Sequence, residues 1–117
     1  MKDKKQKAMN INELLSRYAA GQRDFREINL IAAKLKNANL SYASLCKGDF
    51  RSANLENVNL RSANLTGADF TNANLRGANL TDANLTEVNL TKANLSEVNL
   101  SHAYLRGATM PDGTIHS

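Results

Sequence analysis

An all-β solenoid is the fold this sequence predicts, and three observations predict it. A large apolar residue recurs at every fifth position from Phe25 to Met110, in phase over 18 units, as 14 Leu, three Phe and one Met. Two places before it the residue is small or β-branched in 17 of the 18 units, Arg23 being the exception. Between them stands Asn in 11 units and Asp in three, and the two residues that follow are mostly polar, so a unit reads Ala-Asn-Leu-x-x. Five residues advance an α-helix by about 500°, which rotates each successive Leu by roughly 140° and denies them a common face. A continuous strand fails as well, because an odd spacing throws alternate Leu side chains onto opposite faces. The surviving arrangement has three extended residues, Ala and Leu inward and Asn outward, then two residues that turn the chain and restore the inward direction. Such units wind into a coil whose turns stack ~4.8 Å apart.

Four segments follow in chain order. Residues 1–9, with Lys2, Lys4, Lys5 and Lys7, read as a basic, disordered tail that aids solubility. Residues 10–22 read as a capping helix: Asn10 with Glu13 is a capping-box-like start, Met9 and Leu14 are spaced as a hydrophobic staple, and Gly21 fits the stop. Ile11, Leu14, Leu15, Tyr18 and Ala19 form its apolar stripe, which is expected to lie on the first coil, since a helix of ten residues is marginal alone. Residues 23–112 are the repeats. Leu fills the axis there, and Ala lets opposing walls approach. Phe50 and Phe70 lie 20 residues apart and would stack on adjacent turns if four units make a turn, although a three-sided coil satisfies the inward and outward pattern equally well. Residues 113–117 form a C-terminal tail after the turn signal Pro111-Asp112-Gly113. It is short for a lid. Ile115 could fold back over the last coil, or that end could pair with a second copy, and this thinner cover makes it the expected homodimer contact.

Composition removes several classes. The 117 residues suffice for one domain, the single Cys excludes a disulfide framework, and no apolar run approaches the roughly 20 residues that span a bilayer. The start Met-Lys-Asp-Lys-Lys lacks an apolar signal region, so a soluble, cytoplasmic protein is expected. The net charge of +4 is carried by residues 1 to 23, whereas the body from Asp24 to Asp112 holds nine basic and nine acidic residues. A neutral body is a poor nucleic-acid groove, because sequence-independent binding neutralises phosphates with a contiguous basic surface.

The residues do not make an enzyme. His102, His116 and Cys46 have no metal-ligand or nucleophile spacing, and Cys46 and His102 fall on outer corners where an inert thiol and a solvated imidazole are expected. The outward Asn column recurs in nearly every unit, which marks it as structural, its amides bonding to backbone and to the neighbouring coil. No catalytic, cofactor-binding or metal-binding residue is expected, and no cofactor.

Units such as Ala63-Asn64-Leu65-Thr66-Gly67 and Ala78-Asn79-Leu80-Thr81-Asp82 resemble the pentapeptide-repeat family over residues 23 to 112. The resemblance implies a right-handed quadrilateral β-helix with four units per coil, about four and a half coils in all, and ~22 Å of length. Lys34, Ser44, Tyr104 and Thr109 depart from Asn or Asp at an outward position and should cost little. Some members of that family resemble duplex DNA in shape and charge and bind DNA gyrase, protecting it from quinolone drugs. That mimicry needs a strongly acidic rod. The expected function is therefore a non-enzymatic scaffold or interaction module for a protein partner, with a gyrase-directed DNA mimic as the alternative that the neutral body disfavours.

Overall fold

The backbone pairs residues 20 apart, all in parallel register: Asn54 with Asn74, Asn59 with Asn79, Asn64 with Asn84, Asp69 with Asn89. A computed structural model describes residues 7–117; the expectation of a disordered tail over residues 1–9 lies, for residues 1–6, outside the described residues. Because the unit is five residues and the register 20, the outward residues fall into four walls. Wall I carries Asp24, Ser44, Asn64, Asn84 and Tyr104, and wall II carries Asn29, Asp49, Asp69, Asn89 and Thr109. Wall III carries Lys34, Asn54, Asn74 and Asn94, and wall IV carries Asn39, Asn59, Asn79 and Asn99. The three-sided alternative is thereby removed. Each unit contributes a single paired residue rather than a strand, since two corner residues interrupt the ladder every five positions.

A donor census of one unit explains the sequence. Asn74 N–H donates to Ala53 in the preceding turn, Leu75 N–H to Asn94 and Gly77 N–H to Ser96 in the following one, each at 2.9 Å. Ala78 N–H closes the corner on Leu75 C=O at 2.9 Å. One donor is left, the N–H of the first corner residue Arg76, and Asn74 Oδ1 takes it at 3.0 Å. The Asn or Asp is thus the acceptor for the one amide the ladder does not use, a local bond that Asx side chains make readily. The same bond recurs from Asn29 to Asn99, so the amides serve their own chain two residues on. Lys34, Ser44, Tyr104 and Thr109 do not make this bond, and only after Thr109 is the residue two places on a proline, Pro111, with no N–H to satisfy.

Corner geometry has a conformational cost. The second corner residue is held at positive φ in every unit from Glu27 to Gly107, including Ala32 at 57°, Ser52 at 59° and Lys92 at 58°, with Gly67 at 70°. An L-residue pays about 1–2 kcal/mol of strain there, against about 0.4–1 kcal/mol of unfolded-state entropy that a glycine would add. Ala32→Gly is therefore expected to raise stability by about 0.5–1 kcal/mol, and Gly67→Ala to lower it by a similar amount, since an added Cβ at Gly67 meets only Lys47 Cγ at 3.4 Å. Paired thermal melts read the two signs.

Leu and Phe fill the axis. Leu40, Leu45, Leu55, Leu60 and Leu65 are all 0% exposed, and Val58, Ala68 and Ala83 beside them are 0%. Phe50 and Phe70 stack with centroids 4.6 Å apart and planes 9° apart, a separation that matches the spacing of the turns. Gly48 stands at the inward position before Phe50 because a Cβ there would lie 2.7 Å from Phe50 Cε2. Gly48→Ala is expected to cost about 1–3 kcal/mol by overpacking, and the cost should fall when Phe50 is also changed to Leu, which leaves only the Leu45 C=O at 3.0 Å from the added Cβ. An additive double mutant would contradict this fit.

The helix α1 spans Ile11–Ala19. Asn10 Oδ1 accepts from the N–H groups of Asn12 and Glu13 at 2.8 and 3.3 Å. The return arm of a capping box is not used, because the Glu13 carboxylate pairs with Arg17 one turn on. Leu14 is fully buried, Ile11 and Tyr18 are half-buried against the same core, and the Tyr18 hydroxyl donates to Ser41 C=O at 2.7 Å. Leu15 and Ala19, expected in the stripe, face solvent instead. Ala8 pairs in parallel with Asn29, and Met9 N–H donates to Asn29 C=O at 3.0 Å, so the ordered chain begins before the helix.

Candidate functional site

Among the described residues no three His, Cys, Asp or Glu residues converge on a possible metal site, and no helix is long and apolar enough to cross a membrane. Cys46 is a free, half-buried thiol on the corner column of Arg26 and Thr66, whereas His102 is exposed on the column of Tyr42 and Asp82. A groove of ≈ 530 Å³ lies between α1 and the first turn, reaching from Met9 and Arg17 to Ile28. Three of its charged residues are already engaged: Arg17 with Glu13, and Arg26 with both oxygens of Asp24 at 2.8 and 2.9 Å. That fork holds the Asp24 carboxyl below its ordinary range.

The outer walls are polar and close to neutral locally. On one corner Lys36, Glu56, Arg76 and Glu97 alternate in sign along the coil, at 3.9, 3.5 and 3.3 Å. Arg61 reaches Asp82 at 3.9 Å on the next corner, and Arg51 sits 2.7 Å from Asp49 and 4.0 Å from Asp69. Such exposed pairs contribute at most about 1 kcal/mol each, but they cancel the field that a charged ligand would sense.

The two ends differ. At the N-terminal end α1 and residues 8–9 leave Leu30, Leu35 and Leu40 no more than 2% exposed. At the C-terminal end Leu95, Val98, Leu100, Leu105 and Met110 are only partly buried. The tail returns along wall II alone: Ile115 pairs antiparallel with Thr109, through Met110 N–H to Thr114 C=O at 2.7 Å and His116 N–H to Ala108 C=O at 2.8 Å. Thr114 donates its hydroxyl and its amide to Asp112, which lowers the Asp112 pKa from its ordinary value. Ile115 itself stays 64% exposed and does not cover the axis. Walls I, III and IV end bare. Among the described residues the N–H groups of Leu95, Glu97, Leu100, His102 and Leu105 meet no acceptor. The sequence signalled the thin cover through Pro111-Asp112-Gly113; which walls stay open follows only from where the tail lands.

The sequence matches the pentapeptide-repeats family, with 8 copies, over residues 24–61, 49–82 and 73–111. Among solved structures, HetL of the cyanobacterium Nostoc sp. strain PCC 7120, a pentapeptide repeat protein involved in heterocyst differentiation regulation, is 38% identical with a TM-score of 0.77. That likeness covers 80% of this chain and 43% of HetL, so the chain spans less than half of HetL's length. A second pentapeptide repeat protein of Nostoc PCC 7120 is 36% identical, with a TM-score of 0.77, over 80% of this chain and 77% of its own. One from the Arabidopsis thaliana thylakoid lumen is 27% identical, with a TM-score of 0.73, over 81% of this chain and 66% of its own. Among curated proteins none matches this chain.

Proposed function

Since the chain belongs to the pentapeptide repeat family, we propose that it is a non-enzymatic interaction module, a rigid solenoid that offers flat polar walls to a protein partner in the cytoplasm. The reading includes a right-handed, four-sided coil of about four and a half turns with α1 as its N-terminal cap. One observation carries it. An inner unit such as residues 74–78 commits its backbone donors and its Asn to the coil, and Leu and Ala fill the axis, which leaves the outer surface rather than the coil interior for function. Solenoids bind through such extended surfaces without needing a cavity.

The test uses the chain as bait in extracts of its native host, beside a variant carrying Arg61→Glu and Arg76→Glu on neighbouring corners. A protein retained at stoichiometric level by the first and lost by the second supports the reading. Equal retention by both, or none by either, overturns it. The gyrase-directed alternative lacks the acidic rod it needs, given nine charges of each sign between Asp24 and Asp112. A supercoiling assay with purified gyrase is expected to show neither inhibition nor protection from quinolones.

A further inference from the structure

Two side chains break the local rules of this coil, and both face solvent on the same side of it. Tyr42 has the bulkiest side chain at any second corner position, and it is held at φ 65°, in the left-handed region that bulky L-residues avoid. Tyr104 stands where the turns below it on wall I carry Asn64 and Asn84, and without that acceptor the Arg106 N–H meets no partner among the described residues. Packing offsets neither departure: Tyr42 is 62% and Tyr104 64% exposed, whereas Tyr18 is tied down by Ser41 and Arg23. A local rule broken without a structural gain marks a functional position, and tyrosine is enriched where proteins meet. The two rings bound one strip. Tyr42 precedes Ser44 in the second turn of wall I, and Tyr104 tops that wall three turns on, ~14 Å further along the coil at ~4.8 Å a turn. Between them Asn64 and Asn84 commit Oδ1 to the N–H and hydroxyl of Thr66 and Thr86, so the NH2 group of each amide is left to donate outward. From the turn of Tyr42 to the turn below Tyr104 the border charges cancel: Arg61 lies 3.9 Å from Asp82 on one corner, and the other carries Lys47 and Glu87.

We propose that this strip of wall I docks an uncharged, proline-rich segment of a partner protein in the polyproline II conformation. The inference rests on the coil being a protein-binding module and names the class of its partner. Strip and segment are chemically complementary. Such a segment has no internal hydrogen bonds and its prolines bring no N–H, so its bare carbonyls accept from the amides of Asn64 and Asn84. Its pyrrolidine rings lie flat on tyrosine, the mode by which aromatic-lined surfaces select this preformed conformation. Spacing agrees as well: ~14 Å is about five residues at ~3.1 Å each, and residues five apart lie on adjoining edges of a three-fold helix. The rings are offset in the same way, Tyr42 on the corner and Tyr104 on the midline of the wall. Single-stranded nucleic acid also stacks on aromatic rings, but it needs a basic track that this strip lacks.

The test titrates the full 117-residue chain with end-capped decaproline and follows its amide resonances. The expected result is saturable binding that shifts the side-chain amides of Asn64 and Asn84 and leaves those of Asn54 and Asn74 on wall III unmoved. Tyr42→Ser copies Ser62 one turn above, and Tyr104→Asn restores an acceptor for the Arg106 N–H. Each should weaken binding roughly tenfold, as loss of an aromatic anchor does. Neither should lower the melting temperature, and Tyr104→Asn should raise it by a few degrees, the effect of about one hydrogen bond. Binding lost while stability holds or rises separates a contact role from a structural one. Absence of a saturable shift at millimolar decaproline overturns the proposal. Equal affinity for a Gly-Ser peptide of the same length, affinity unchanged in both variants, or binding of a neutral β-linked oligosaccharide in place of the peptide overturns it equally. The two readings fail separately: a host protein retained while decaproline does not bind keeps the module and removes this partner class, whereas decaproline bound with no host protein retained does the reverse.

Discussion

Leu65→Asp is expected to abolish cooperative folding, while Thr66→Asp, one residue on, should leave the melting temperature within a few degrees. Leu65 is 0% exposed, at the middle of the axis, with turns of the same coil above and below it. Truncating a buried Leu alone costs about 2–5 kcal/mol in lost transfer energy and cavity. The carboxyl adds several kcal/mol more, because it enters either charged without a counter-ion or neutral without hydrogen-bond partners. The sum consumes a native stability of about 5–15 kcal/mol. Thr66 is half-buried at a corner, where its hydroxyl donates to Asn64 Oδ1 at 2.7 Å. Its loss removes one solvent-accessible hydrogen bond, about 1 kcal/mol, and the new carboxylate stays hydrated. Circular dichroism melts of the two variants decide the matter, and equal transitions would mean that Leu65 does not face the axis.

Phe50→Ala should be the most damaging hydrophobic truncation, by about 3–5 kcal/mol. The ring fills a space that Gly48 leaves open on one side, and it stacks on Phe70 at 4.6 Å on the other, so no neighbour can close the hole without moving a turn of backbone. The stack supplies about 0.5–1.5 kcal/mol of that beyond buried area. Phe50→Ala and Phe70→Ala should consequently be non-additive, the double variant losing less than the two single losses together. Denaturant titration of the four proteins measures the coupling. Strict additivity would show that the two rings do not support each other.

The inward column was legible because it is generic. Period five cannot be met by a helix or a strand, so the chain must coil whatever residues occupy its corners, and the structure buries Leu30 through Leu90 accordingly. The helix could be read from Asn10, Leu14 and Gly21 for the same reason, since caps and stripes act within a few residues. Less was legible where the decisive interaction is with the next turn. The Asn column was read as bonding to the neighbouring coil as well as to backbone, but the corner leaves one amide of its own unpaired and the side chain satisfies that. The candidate surface was legible only as an expectation that the C-terminal end is thinly covered.

What the sequence by itself determined is the repeat and its inward and outward order, because both are set by spacing along the chain. The tertiary structure alone decided that four units make a turn, that Phe50 lies on Phe70, and that the tail returns along wall II and leaves walls I, III and IV open. Those outcomes depend on which backbone groups meet 20 residues away, and pairing at that range is fixed by the closure of the whole coil rather than by any single unit.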